Sequence, residues 1–241
     1  LLVTFSAVFS FANMVNARSI LPPVPNIDVT SFVLIDANSQ VVLAEKNAEA
    51  RVAPASLTKI MTALIVEEEV KAGRARYDEE AEISVRAWRT GGSKMFIREG
   101  TKVSIGDLLR GVIVQSGNDA SIALAEHVAG GEAEFAYMMN EKARRLGLRN
   151  TNFENATGLP NDNHYSTAND LARLTTELIK NHPNQYEIYA ERSFEYGGIN
   201  QTNRNKLLWR DLSVDGVKTG YTKKAGYCLV ASAKRDGMRL V

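Results

Sequence analysis

Hydrophobic and polar positions follow one rhythm at the two ends of the chain and another in its middle. Short apolar-rich runs at Ser31–Ile35 and Val41–Lys46 flank the polar segment Asp36-Ala37-Asn38-Ser39, which predicts a β-hairpin. The period then changes. Leu57, Ile60, Met61, Leu64, Ile65 and Val66 cover most of a helical circumference over Ser56–Glu69, which predicts a helix buried on nearly every side and ended by Gly73. Ser104 followed by Asp107 predicts a capping box that opens a helix over Ile105–Gln115. Further helices are predicted from about Asn118 to Gly130-Gly131, over Glu132–Arg145, and from a Ser166 or Thr167 cap to His182. Strand signals return at Val214–Thr219 and Tyr227–Ala233, and Asp236-Gly237 turns the chain into Met238–Val241. Strands at both ends with helices between them imply one sheet completed by distant segments, with helices packed on it or forming a lobe beside it. The fold class is therefore α/β (α+β).

The amino-terminal end reads differently. Leu1–Val15 is mostly apolar and uncharged, short for a membrane span but suited to the core of a signal peptide. Val15-Asn16-Ala17 offers a cleavage site, so residues 1–17 are expected to be a truncated signal peptide and the protein to be exported. Pro22, Pro23 and Pro25 make 18–30 an extended linker. Residues 31–241 remain for one catalytic domain, expected to be incomplete at its carboxy-terminal end.

Composition removes several function classes. The formal net charge is +1 with no basic run, which argues against nucleic-acid binding. Cys228 is the single cysteine and sits in an apolar run, so it is expected to be a buried structural thiol. His127, His164 and His182 lie far apart without metal spacing, so no metal and no cofactor is expected.

Three short motifs carry candidate chemistry. The first is Ser56-Leu57-Thr58-Lys59. Residues three apart share a helix face, so the Lys59 amine can reach the Ser56 hydroxyl at the positive end of a helix. A lysine acts as a base only when neutral. Burial and a second ammonium both lower its pKa, and Lys218 is the natural second ammonium. Since no histidine falls in a nucleophile motif, a Ser-Lys device is the economical one. The second motif is Ser116-Gly117-Asn118, between two predicted helices, where a hydroxyl can pass a proton and an amide can bind a carbonyl. The third is Lys218-Thr219-Gly220, at the end of a predicted strand along which an extended peptide could pair. Each motif alone also fits a bland role: a helix cap with a surface lysine, a Ser/Asn cap, a strand-to-turn Lys-Thr-Gly. Their joint occurrence in this order matches a known signature of penicillin-binding proteins and class A β-lactamases, in which the second motif takes an S-D-N form. The Lys223-Lys224 pair beside the third motif fits either a solvated turn or an attraction for acidic peptides.

At these residues the chain resembles the low-molecular-weight penicillin-binding proteins, the serine D-Ala-D-Ala carboxypeptidases of peptidase family S11. The likeness runs from about Asn26 to Val241 and includes Ser93-Lys94-Met95-Phe96, Gln115–Ala120, Asn203-Arg204-Asn205 and Asp215–Gly220. It implies a β-lactamase/transpeptidase-like fold, an antiparallel sheet flanked by helices plus a helical lobe. It also implies removal of the terminal D-Ala from peptidoglycan stem pentapeptides through an acyl-enzyme. In that reading Ser56 attacks, Lys59 takes its proton and Ser116 relays it to the leaving D-Ala. Asn118 holds the acyl side, Lys218 and Thr219 receive the terminal carboxylate, and Gly220 lets the backbone approach closely. The oxyanion sits between the amides of Ser56 and Tyr221. β-Lactams would acylate the same serine as covalent inhibitors, and Ser84–Phe96 resembles a loop that affects deacylation. Tyr221 stands where a well-known branch carries His, which implies an altered substrate preference. The resemblance further implies the periplasm or the outer face of the cytoplasmic membrane, with peripheral attachment through a carboxy-terminal anchor lying beyond residue 241.

Three other activities share parts of this pattern. A class A β-lactamase would need an E-x-x-L-N segment between Asn118 and Lys218, and none is there. A murein D-Ala endopeptidase differs only in which bond fits. A penicillin-sensing domain would acylate without turning over.

Overall fold

The computed structural model describes residue 24 and residues 26–241. The expected signal peptide lies outside the described residues, as does the linker before residue 24. In chain order the elements are β1 (Phe32–Asp36), β2 (Val41–Lys46), a 3-10 turn (Ala55–Thr58), α1 (Lys59–Lys71), β3 (Glu80–Glu82), α2 (Val85–Arg89), β4 (Lys102–Ser104) and α3 (Ile105–Arg110). A wide π-helical turn (Gly111–Gln115) leads into α4 (Asn118–Ala129), α5 (Glu132–Arg145), α6 (Ala168–Asn181) and α7 (Pro183–Tyr186). The chain closes with β5 (Ser193–Tyr196), β6 (Ile199–Thr202), α8 (Leu207–Arg210), β7 (Val214–Thr222), β8 (Gly226–Arg235) and β9 (Met238–Leu240).

The main sheet has the order β2-β1-β9-β8-β7 and is antiparallel throughout. Its amino-terminal hairpin joins the carboxy-terminal meander where Asp36 pairs with Leu240, which is the completion by distant segments that the patterning implies. This is the α+β architecture expected. Among the described residues β7 is an edge strand, so one rim of its backbone has no strand partner, the kind of edge along which an extended peptide can pair.

The core gathers around α1. Every residue from Lys59 to Glu67 is buried, so this helix is surrounded by α4, α5, α6 and the sheet. Ser104 accepts a hydrogen bond from the Asp107 amide at 3.1 Å, as the capping pattern predicts. Thr167, of the two candidate caps, accepts from the Asp170 amide at 3.0 Å.

Several boundaries differ from expectation. The helix predicted over Ile105–Gln115 is α-helical only to Arg110, and its last residues open into the π-helical turn that ends at Ser116. The helix predicted from Ser56 starts with a 3-10 turn, and α1 proper begins at Lys59. β7 continues to Thr222, so Lys218-Thr219-Gly220 lies inside the strand and not at its end. The two-stranded sheets β3–β4 and β5–β6 have no counterpart in the sequence reading, because each strand is too short for a period to register. Cys228 is half-buried, less enclosed than expected, and its thiol points at the carbonyls of Ala225 and Gly226. Among the described residues no helix is long and apolar enough to cross a membrane.

Candidate active site

Three chain segments meet at the start of α1. Ser56 lies in the 3-10 turn, half-buried and facing a cleft, while Lys59 one turn on is only 1% exposed. The Lys59 amine stands 3.1 Å from Ser56 Oγ, 2.7 Å from Asn118 Oδ1 and 2.6 Å from the Thr157 carbonyl. The last two partners can only accept, so they take two N–H bonds from the lysine. A neutral amine then has its lone pair left for the third direction, where the Ser56 hydroxyl can donate to it. An ammonium would reverse that one bond and leave the other two unchanged. The geometry thus accommodates both protonation states without movement, which is what a base needs.

Electrostatics favour the neutral form. Burial lowers the Lys59 pKa well below that of a free lysine, and the charges of Lys218 and Arg204 add to the effect. Asp119 opposes it. Lys218, 2% exposed, is itself lowered to about 7 by burial and then by Arg204. Two lysines and an arginine therefore crowd the site, and the carboxylate that opposes their effect on Lys59, on Asp119, already accepts from the amides of Met95, Phe96 and Ile97.

The second motif is built by the break between the π-helical turn and α4. Ser116 takes the left-handed conformation with φ of 64°, a costly state for a serine and one that ends the turn. Its hydroxyl is buried without a hydrogen-bond partner. Asn118 opens α4. Its carbonyl oxygen accepts from Lys59, and its NH2 donates to the Gly91 carbonyl at 2.7 Å. One amide hydrogen remains for a ligand.

The third motif comes from β7. A methyl group at Gly220 would stand 3.1 Å from the Ser56 amide nitrogen and 3.2 Å from the Ala55 side chain, so a glycine lets the strand lie against the nucleophile turn. That contact sets Tyr221 beside the same turn, with its side chain exposed. Thr219 is half-buried at the cleft. The Lys218 amine donates to the Thr219 carbonyl at 3.0 Å and makes no hydrogen bond to Ser56 or Lys59 among the described residues. The two lysines interact through charge, and the pKa of Lys59 registers it. Lys224 pairs with Asp162 at 2.6 Å in an exposed turn, which favours the solvated-turn reading of Lys223-Lys224.

Sequence reasoning assigned no role to four residues that shape this site. Arg204 donates to the Gln115 carbonyl at 2.9 Å and places a third positive charge near both lysines. Thr157 supplies a carbonyl to Lys59 from a turn in which Asn155 accepts from the amides of Thr157 and Gly158. His164 contacts the Thr58 hydroxyl at 2.9 Å through Nε2, and its Nδ1 accepts from the Glu154 amide, so Nε2 carries the proton. Burial lowers this histidine to about 4, which keeps it neutral and structural. Asp119 is the fourth. Turn chemistry in Asn155-Ala156-Thr157-Gly158 was a visible signal; the others depend on contacts between distant segments.

Comparison with known proteins gives the chain a family. The profile of the D-alanyl-D-alanine carboxypeptidase family matches residues 17–241. D-alanyl-D-alanine carboxypeptidase DacA of Escherichia coli (strain K12) is 46% identical over 237 residues, covering 95% of this chain and 59% of the relative. Among solved structures, penicillin binding protein 5 from Haemophilus influenzae superposes with a TM-score of 0.88 at 44% identity, covering 91% of this chain and 65% of that one. Penicillin-Binding Protein D2 from Listeria monocytogenes, solved in its ampicillin-bound form, gives 0.83 at 31% identity, covering 91% and 89%. The chain thus spans about three-fifths of the curated relative and carries that family's fold. Family profile and relatives together show that the chain belongs to the D-alanyl-D-alanine carboxypeptidase family, peptidase family S11.

Proposed function

We propose that this domain is a serine-type D-Ala-D-Ala carboxypeptidase that removes the terminal D-Ala from peptidoglycan pentapeptide stems. One observation carries the reading: a buried lysine holds two fixed oxygen acceptors and keeps its third direction for the Ser56 hydroxyl.

The steps follow from that arrangement. The stem peptide pairs with the outer edge of β7, and its terminal carboxylate approaches Lys218 and Thr219. That negative charge raises the affinity of Lys218 for its proton, so Lys218 is the ammonium and Lys59 the amine. Ser56 Oγ attacks the carbonyl of the penultimate D-Ala while its proton passes to Lys59. The oxyanion forms between the amides of Ser56 and Tyr221. Ser116, whose hydroxyl has no other partner, carries the proton from Lys59 to the departing D-Ala nitrogen, and the C–N bond breaks. Water then attacks the acyl-enzyme and restores Ser56. A β-lactam enters the same path and remains attached, because its ring-opened fragment does not leave. Since the substrate lies outside the cytoplasmic membrane and the amino-terminal run suits export, we place the protein in the periplasm or on the outer face of that membrane.

The test is steady release of D-Ala from a pentapeptide ending in D-Ala-D-Ala. The Ser56→Ala variant is expected to release none and to take up no labelled penicillin. Acylation by penicillin without D-Ala release in the wild type would contradict the proposal and indicate a sensor. Rapid penicillin destruction would indicate a lactamase.

A further inference from the structure

A second cleft, of about 580 Å³, lies on the other side of the segment that walls the active site. Its sides are Trp88 of α2, Phe96, Arg98 and Lys94 of the 91–101 loop, and Tyr196 and Ile199 of the β5–β6 hairpin. The loop joins the two sites: Gly91 accepts from Asn118, Ser93 accepts from the Asn118 amide, and Met95 accepts from Gln201 of β6.

Two features of this cleft set it apart from the surface around it. Phe96 is 54% exposed and sits in the left-handed region at φ of 70°, unfavourable for an aromatic residue. Buried Asp119, next in sequence to Asn118, enforces this by accepting from the amides of Met95, Phe96 and Ile97. A strained backbone that holds an aromatic ring out in water is a mark of a functional surface. The second feature is charge. Lys94 donates only to the Trp88 carbonyl, and among the described residues neither Lys94 nor Arg98 forms an ion pair.

Aromatic faces beside two uncompensated cations suit a ligand with an apolar ring face and a carboxylate. We infer that this cleft is a second substrate subsite that takes the acidic, sugar-linked part of peptidoglycan, the muramyl group and the first acidic residue of the stem. The sugar ring lies on Trp88 and Phe96, and the carboxylate meets Arg98 and Lys94. The inference rests on the proposed function for its choice of ligand. It goes beyond that proposal by separating recognition of the glycan end from recognition of D-Ala-D-Ala.

The probe is muramyl-L-Ala-D-Glu, which carries the sugar and the carboxylate but no scissile bond. Calorimetric titration of the wild-type chain is expected to show binding. Arg98→Gln and Phe96→Asn, the latter chosen because Asn tolerates left-handed backbone, should each weaken it about tenfold. L-Ala-D-Glu and N-acetylglucosamine, offered separately, should bind more weakly than the conjugate. The kcat/KM for a muramyl pentapeptide relative to a short acylated D-Ala-D-Ala peptide should fall by a similar factor in both variants, chiefly through KM. Arg98 is exposed, so its replacement is not expected to disturb folding. Absence of wild-type binding at millimolar probe, or equal binding by wild type and Arg98→Gln, would overturn the inference. D-Ala release without probe binding refutes the subsite and leaves the carboxypeptidase reading standing. Probe binding without D-Ala release does the reverse.

Discussion

Lys59 differs from a surface lysine in ways that single substitutions can expose. Its hydrogen-bond partners are two fixed oxygens and one hydroxyl, and its surroundings are buried and positively charged. Lys59→Ala should slow acylation by penicillin by roughly 10²–10⁴-fold, the range typical of general-base loss, measured by stopped-flow with a fluorescent penicillin. Arg204 lowers the pKa of both lysines, so Arg204→Gln should raise both. The acidic limb of the acylation pH profile, where Lys59 loses its proton, then moves to higher pH and the rate at pH 7 falls. An unmoved limb would show that Arg204 acts by packing alone. Gly158 supports the same site at the backbone. It has φ of 81°, and a methyl group there would stand 1.8 Å from the Ala55 carbonyl oxygen, beside the nucleophile. Gly158→Ala should therefore cost roughly 1–2 kcal/mol for the left-handed backbone alone, with a further loss from the clash. Denaturant unfolding and penicillin labelling should both record it.

At the scale of elements, α1 carries both the base and an anomaly. Glu67, two turns beyond Lys59 on the same buried helix, lies among apolar residues, accepts from the Tyr77 hydroxyl at 3.1 Å and has one oxygen without a partner. Burial raises its pKa from 4.5 to about 8. In that window the folded chain holds a proton that the unfolded chain has released. The stabilising contribution is therefore complete below about pH 4.5 and falls away as pH rises to about 8. Glu67→Gln keeps the shape and removes the titration. The variant should gain melting temperature relative to the parent at pH 8–9 and gain little at pH 5. An equal difference at both pH values would contradict this assignment. The same helix shows how far sequence reaches. Its apolar circumference announces a buried position, and the three-residue spacing announces that Ser56 and Lys59 share a face. The π-helical turn before Ser116 is not legible, because Gly111–Gln115 is apolar in a pattern that also suits an ordinary helix. Nor is the extension of β7 to Thr222, since strand pairing with Gly226 decides where that strand ends. Short strands such as Ser193–Tyr196 acquire their state from a neighbour and carry no periodic mark of their own.

Across the whole molecule the candidate site exists only because distant segments converge. The start of α1, the start of α4, the Asn155–Gly158 turn and β7 each contribute an atom within reach of Lys59 or Ser56. Sequence order alone suggested which motifs would meet, through their resemblance to one family. It did not show that Lys218 would act on Lys59 through charge while bonding its own strand, or that Arg204 and Thr157 would join them. The depressed basicity of Lys59 is accordingly a property of the assembled fold, absent from any fragment that lacks β7. Titration of the Lys59 side chain by heteronuclear NMR in the folded protein, assigned with a Lys59→Arg variant, tests this most directly. The account predicts a midpoint well below the roughly 10.4 of a free lysine, rising toward that value when the chain is unfolded in urea. A Lys59 signal that titrates near the free value in the folded protein would contradict it.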